Sequence, residues 1–237
     1  MKKLVSIIIP AYNAANHISE CLSSVKKQDY SQIEVIVIDD GSTDDTMKIV
    51  TNDFKWVRIV SQVNRGPSAA RNWGIKEARG EYLCFVDADD IVSHDMVSRL
   101  MFGLEKNQVD FAVCGIYMFN DDRKIFRHIP VSAETQNIFG NKNIFQYIYP
   151  FFNTYKVNAP YGRIFRKKII LQNSIKFDEH LSLGEDSVFN LDYYSAINSC
   201  CFIREELYGY RRGNNYLTKK YSGDFKENKK RRFEEMK

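Results

Sequence analysis

An α/β fold, with a mostly parallel central sheet covered by helices, is what this 237-residue sequence predicts. Three observations carry that reading. Short apolar runs recur at strand length, residues at helical spacing separate them, and polar, acid-rich clusters fall where the runs end.

The elements follow in order. Leu4 to Ile9 reads as a first strand, closed by Pro10-Ala11-Tyr12-Asn13. Ile18, Leu22 and Val25 form one apolar side of the helix that follows. Glu34 to Ile38 is a second strand ending in Asp39-Asp40-Gly41-Ser42, Trp56 to Val60 a third, and Tyr82 to Val86 a fourth ending in Asp87-Ala88-Asp89-Asp90. Before the fourth strand, Gly66 makes a turn, Pro67 suits the first position of a helix, and Ala69 and Ala70 let that helix sit close to a sheet. This βαβ rhythm favours parallel strands, and such sheets place ligand sites beyond their carboxyl ends. The polar clusters fall at those ends.

Composition narrows the function classes. With 44% hydrophobic residues the chain can bury a substantial core. The start of the sequence has neither the long apolar region nor the small-residue cleavage site of a secretory signal, and charge interrupts every apolar run, so a cytoplasmic protein without a membrane span is expected. Cys21, Cys84, Cys114, Cys200 and Cys201 are an odd number without a CxxC pair, which favours core thiols. The net charge of +4 resides in residues 219–237, where eight basic residues face four acidic ones. The body is therefore charge-balanced and offers no nucleic-acid-binding face. The tail suits peripheral contact with the inner face of the cytoplasmic membrane, and a solvated helix end explains it equally. His17, His94, His128 and His180 are scattered without an HExxH pattern, against a zinc site. Phe145, Tyr147, Tyr149, Phe151, Phe152 and Tyr155 form an aromatic stretch read as packing beneath a cleft or as a wall against sugar or lipid.

The acidic clusters carry the chemistry. In Asp39-Asp40-Gly41-Ser42-Thr43-Asp44 the glycine permits a tight turn and the polar residues can cap a helix, while one of the paired carboxylates can accept hydrogen bonds from a base or ribose. Three carboxylates within Asp87 to Asp90 repel one another, a cost that a divalent cation with diphosphate oxygens reverses. Hard oxygen donors suit Mg²⁺ or Mn²⁺. Arg71 has the geometry to orient a carboxylate or meet a phosphate. Glu185 and Asp186 open another helical pattern, where a carboxylate either caps the first turn or serves as general base. Neither a GxGxxG turn nor a GxxxxGK[ST] loop is present, which removes the usual dinucleotide and P-loop readings.

Taken together, Ser6-Ile7-Ile8-Ile9-Pro10-Ala11-Tyr12-Asn13, Val37-Ile38-Asp39-Asp40-Gly41-Ser42-Thr43-Asp44, Gly66-Pro67-Ser68-Ala69-Ala70-Arg71-Asn72 and Phe85-Val86-Asp87-Ala88-Asp89-Asp90 resemble the family 2 glycosyltransferases of the Rossmann-like GT-A fold, of the type that builds bacterial surface glycans. The resemblance covers about Leu4 through Thr218. It implies a nucleotide-sugar-binding half over residues 1–114, an acceptor-binding half of the same catalytic domain over 115–218, and a basic tail over 219–237. Pro10, Ala11, Tyr12, Asn13, Asp40, Gly66, Arg71, Asp87 and Ala88 are then expected around a nucleotide-sugar donor. Asp89, with Asp87, is expected to hold Mn²⁺ or Mg²⁺. The family pattern favours Asp186 as base and Glu185 as an orienting group. Arg211 and Arg212, in Tyr208-Gly209-Tyr210-Arg211-Arg212, are expected to add positive charge near the diphosphate.

The implied activity is inverting transfer of a sugar, from a UDP-sugar, to a hydroxyl of a glycan or lipid-linked acceptor. Tyr216 stands where the family usually has a small hydroxyl residue, and Ala159-Pro160-Tyr161-Gly162-Arg163-Ile164-Phe165 lacks a tryptophan often found there. Both departures bear on the acceptor side. A sugar nucleotidyltransferase and an inactive nucleotide-sugar-binding protein are the alternatives. The first needs a glycine-rich activation loop that Pro10 to Asn13 does not match, and Asp89 with Asp186 counts against the second.

Overall fold

The computed structural model describes residues 2–148, 158–181 and 183–212. The basic tail, Tyr216 to Thr218 and the aromatic residues Tyr149 to Tyr155 lie outside them. The elements run β1 (Val5–Ala11), α1 (Ile18–Lys26), β2 (Ile33–Asp39), α2 (Thr46–Asp53), β3 (Arg58–Ser61), α3 (Pro67–Glu77), β4 (Tyr82–Phe85), β5 (Ile91–Val92), α4 (Met96–Lys106), β6 (Phe111–Phe119), β7 (Ile125–Ile129), β8 (Gln136–Phe139), α5 (Asn141–Ile148), β9 (Arg163–Arg166), α6 (Lys167–Gln172), α7 (Glu185–Ser195) and β10 (Ser199–Arg211).

One sheet runs through all of it, in the order β3-β2-β1-β4-β9-β6-β10-β5, with β7 beside β6 and β8 beside β10. The expected parallel βαβ half is β3-β2-β1-β4. Beyond β4 the sheet becomes mixed: β9 is antiparallel to β4 and β6, β5 and β8 are antiparallel to β10, and β10 is parallel to β6. The strand expected from Trp56 begins at Arg58, because Trp56 and Val57 complete the turn after α2. Cys114, where the two halves of the site were expected to divide, lies inside β6.

Pleating sends alternate residues of β1 to opposite faces, and both faces are covered. Ile7 and Ile9 pack with Val35, Val37 and the α1 residues Ile18, Leu22 and Val25. Ile8 packs on the other side with Ile36, Ile38 and Ala70 of α3. A Cβ at Gly74 would lie 2.3 Å from Ile8 Cγ2, so the absence of a side chain there lets α3 lie directly on β1. That contact fixes the height of Arg71, one turn earlier.

Under the first turn of α7 the core is aromatic. Phe85 makes edge contacts with Phe165, Phe177 and Phe189, and Phe177 stacks on Phe189 at 4.0 Å. Rings of this size, each worth about 1.5–3 kcal/mol when fully buried, give α7 a firm seat on the end of β4. Phe145 and Tyr147 pack on the same core layer, Tyr147 against Phe202 of β10. All five cysteines are free and buried, and burial pushes the Cys201 thiol up to about 11. Among the described residues no helix is long and apolar enough to cross a membrane.

Candidate active site

The carboxyl ends of β1 and β2 are stitched together by their loops. Asn13, in the left-handed region at φ 49°, accepts from the Thr43 amide through Oδ1 (2.8 Å), and its own amide donates to Ser42 Oγ (3.1 Å). The Ala14 amide donates to Thr46 Oγ1 at 2.7 Å. Pro10 and Ala11 still belong to β1, whereas the Tyr12 ring is 52% exposed at the strand end. Gly41, at φ 74°, lets the loop before α3 pass close by, since a Cβ there would meet the Asn64 amide nitrogen at 2.9 Å.

Asp39 and Asp40 differ in their work although both are buried. Asp39 Oδ1 accepts from the Ser42 amide (3.0 Å) and closes the turn. Asp40 gathers the loop before α3: Oδ1 accepts from Gln62 Nε2 (2.7 Å) and the Arg65 amide (2.8 Å), and Oδ2 from the Gly66 amide (2.8 Å). Three of its roughly four acceptor positions are thus taken by the protein. Gly66, at φ 88°, then opens α3 with Pro67 as its first residue.

Arg71 is the hub. Its guanidinium, 6% exposed, reaches Asp87 Oδ1 (2.9 Å) through one nitrogen and Asp186 Oδ1 (3.1 Å) through another, and lies over the Phe177 ring. Burial alone would depress its pKa, but Asp186 and Asp87 more than offset this and raise it, so the arginine stays charged. Two carboxylates from opposite halves of the sequence therefore share one cation just beyond the carboxyl end of β4.

The helix carrying Asp186 starts at Gly184, which has φ 93° and leaves the first turn without a side-chain cap. Asp186 lies in that first turn, and its carboxylate turns to Arg71. Burial, then the charges of Glu185 and Asp87, push Asp186 up to about 7 against the pull of Arg71 and Arg163. A carboxylate poised near neutrality, its side chain 27% exposed, is able to accept a proton from a hydroxyl. Glu185 sits beside it, half-buried.

The acidic run after β4 separates into three roles. Asp87 pairs with Arg71, and Ala88 is buried beneath the loop. Asp89 is exposed, and partial enclosure of its carboxylate together with the charge of Asp87 raises its pKa. Asp90 is fully buried: Tyr208 Oη donates to Oδ2 (2.6 Å) and the Arg211 amide to Oδ1 (2.7 Å). Burial and the charges of Asp89 and Asp87 push Asp90 well above the usual carboxylate range.

Arg211 and Arg212 differ in their surroundings. The Arg211 guanidinium is buried against Glu20, Asp121 (3.3 Å) and the Asp89 carbonyl (2.7 Å), so its charge is neutralised within the protein and braces the acidic loop from behind. Arg212 is exposed, and its amide donates to the Phe119 carbonyl at 2.8 Å.

Among the described residues, no group of three or more His, Cys, Asp or Glu side chains is arranged to hold a metal ion. The donor set nevertheless fits Mg²⁺ or Mn²⁺ bound in company with a diphosphate. Such ions take one or two carboxylates from the protein and the remaining oxygens from substrate and water. Asp89 offers an exposed hard-oxygen ligand whose like-charged neighbour Asp87 makes a cation favourable.

The glycosyl transferase family 2 model matches residues 6–172, well over half of the chain. The chain belongs to that family. EpsJ of Bacillus subtilis (strain 168), an uncharacterized glycosyltransferase, is 35% identical over 92% of the chain and 64% of its own length. The poly(ribitol-phosphate) beta-N-acetylglucosaminyltransferase TarS of Staphylococcus aureus (strain Mu50 / ATCC 700699) is 28% identical over 86% of the chain and 35% of its own length. The crystal structure of S. aureus TarS 1-349 in complex with UDP-GlcNAc superposes with a TM-score of 0.78 at 25% identity, covering 94% of the chain and 64% of TarS 1-349. The chain thus spans less than two thirds of the length of these relatives. Their likeness confirms the GT-A-like α/β architecture expected of the family 2 sequence.

Two groups escaped the sequence reading of this family 2 site. Arg163, buried at the start of β9, donates to the Tyr161 carbonyl (2.8 Å) and adds positive charge near Asp186. Tyr161 stacks on Tyr208 (4.5 Å) and Tyr210 (5.5 Å), a ladder of three near-parallel rings beside the acidic loop. The only trace of either in the sequence was the Tyr161-Gly162-Arg163 segment, noted for the tryptophan it lacks.

Proposed function

We propose that the protein is an inverting glycosyltransferase that transfers a sugar from a UDP-sugar to a hydroxyl of a glycan or lipid-linked acceptor. The observation that supports this reading is the Arg71 bridge, in which Asp87, read as donor-side, and Asp186, read as the acceptor-side base, share one cation. The donor lies against the ends of β1 and β2, with Tyr12 and Asn13 at the nucleotide and Asp40 shaping its pocket through the Gln62–Gly66 loop. UDP as the nucleotide is supported by the likeness to TarS with UDP-GlcNAc. TarS, named for a poly(ribitol-phosphate) acceptor, supports a surface polymer or its lipid-linked precursor as the acceptor class.

In the reaction the acceptor oxygen attacks the anomeric carbon, its proton passes to Asp186, and the bond to the diphosphate breaks with its electron pair leaving on UDP. Glu185 orients the acceptor, and Arg71 holds Asp186 in place. Mn²⁺ or Mg²⁺, held by Asp89 with Asp87 beside it, would neutralise charge developing on the leaving diphosphate. Direct attack from the face opposite the diphosphate inverts the anomeric centre. The reaction is expected in the cytoplasm, where peripheral contact through the basic tail would bring a lipid-linked acceptor within reach.

Asp89→Asn tests the donor side, because it removes a charged ligand while keeping its size. Turnover of UDP-sugars across an Mn²⁺ and Mg²⁺ titration should fall severely while the thermal unfolding midpoint stays close to wild type. Near-native turnover by this variant at every metal concentration would remove Asp89 from the metal site.

A further inference from the structure

We infer that Tyr208 is a positioning residue for the donor: with Asp90 it clamps the Asp87–Asp89 loop from beneath, and so sets where the donor-side carboxylates stand. The inference rests on the proposed donor role of that loop, and it concerns residues that do not themselves face the ligand.

The clamp is built from one hydroxyl used twice. Tyr208 Oη donates to Asp90 Oδ2 at 2.6 Å and accepts from the Asp87 amide at 3.1 Å. It therefore ties the first residue of the acidic run to the last. Two further bonds from the same strand bracket the run, since the Arg211 amide donates to Asp90 Oδ1 (2.7 Å) and Arg211 Nε to the Asp89 carbonyl (2.7 Å). Asp89 thus has its backbone held on both sides while its side chain remains exposed. Both Tyr208 and Asp90 are fully buried, so the bonds form without competition from water.

The surroundings fix the hydroxyl in turn. Tyr208 pairs with Val92 of β5, two residues beyond Asp90, and its ring stacks on Tyr161 at 4.5 Å with the planes 13° apart. At the next position, Gly209, a Cβ would stand 2.7 Å from the Tyr117 ring and 2.8 Å from Ile91, so the bare glycine leaves room for both side chains against β10. The ring, the strand pairing and the glycine all place Oη under the Asp87 amide. A buried carboxylate beside a site that already contains Asp87 and Asp89 adds repulsion. What it supplies in return is the backbone geometry it enforces, since a loop of this kind misplaced by a fraction of an ångström loses ligand affinity.

Tyr208→Phe tests the clamp in the full chain, because it keeps the ring and its stack and removes only the hydroxyl. Tyr193→Phe is the control: that hydroxyl is equally buried, accepts from the Arg166 amide and donates to the Asp110 carbonyl, and lies away from the acidic loop. Both variants should lose a similar, small amount of thermal stability. Only Tyr208→Phe should weaken UDP binding and raise the KM for the UDP-sugar and the half-saturating Mn²⁺ concentration, each by about tenfold, with kcat at saturation within about twofold of wild type. Asp90→Asn should move the same quantities in the same direction.

Amide hydrogen exchange gives a readout independent of activity. In Tyr208→Phe the Asp87 amide should lose protection, and in Tyr193→Phe it should keep it. Unchanged exchange at Asp87 would overturn the clamp whatever the protein's activity. Faster exchange with unchanged donor and metal constants, in an enzyme that turns over UDP-sugars, would overturn its positioning role. A wild-type protein that neither binds UDP nor turns over a UDP-sugar would instead defeat the functional reading on which the inference rests.

Discussion

Asp186→Asn is expected to bind the donor as wild type does and to transfer its sugar about 10²–10⁴-fold more slowly, the usual loss when a positioned general base is removed. The substitution keeps the size of the side chain and one oxygen for Arg71, so the fold should be retained. Donor affinity, single-turnover transfer and unfolding, measured on the same preparations, separate the chemical role from a structural one. Wild-type transfer by a folded Asp186→Asn protein would defeat the assignment. A folded but inactive Glu185→Gln protein beside an active Asp186→Asn protein would move the role to Glu185.

The second large effect is on stability. Arg71→Met leaves Asp87 and Asp186 facing each other without the cation they share, and the loss is expected to be about 2–3 kcal/mol, below the full cost of breaking a buried ion pair because both carboxylates keep some contact with water. The double variant Arg71→Met with Asp186→Asn should recover part of that loss, since one of the two stranded charges has gone. Chemical denaturation of the three proteins measures this. Equal destabilisation by the single and double variants would mean that Arg71 acts through packing on Phe177 rather than through charge.

Asp186 also gives stability a pH dependence of defined sign. Its folded-state pKa is raised to about 7, so between the ordinary carboxylate range and about pH 7 the folded state holds more protons than the unfolded one. Its contribution to stability is therefore present in mild acid and declines as pH rises towards about 7. Removing the titrating group, as in Asp186→Asn, should flatten that part of the stability profile.

Much of the loop architecture at the ends of β1, β2 and β4 was legible because its signals are local. An apolar run followed by Asp-Asp-Gly or Asp-Ala-Asp-Asp states both a strand and what stands at its end, and Gly66-Pro67 states where α3 begins. The Arg71 partnership was only half legible: a role in orienting a carboxylate could be read, but Asp186 lies 115 positions away and no spacing rule connects them. Asp89 and Asp90 are the same residue type in adjacent positions, so only the fold could put one at the surface and the other under Tyr208. Arg211 was legible as a cation, but its partners were not. A cation near an expected diphosphate looked available, whereas Glu20 and Asp121, distant in sequence, neutralise it. The antiparallel pairing of β9, β5 and β8 was likewise set by long-range contacts, and the short runs that form them carry no period strong enough to announce their direction.

The central claim is that Asp186, held by Arg71, takes the acceptor proton while the donor is held on the Asp89 side. Single-turnover sugar transfer with donor and metal saturating, followed between about pH 5.5 and 8.5, tests it most directly. The account predicts a rate that rises with pH and levels off above an apparent pKa near 7 in the wild type, with that rise absent from the residual rate of Asp186→Asn. A wild-type rate independent of pH across this range, or the same rise in both proteins, would contradict it.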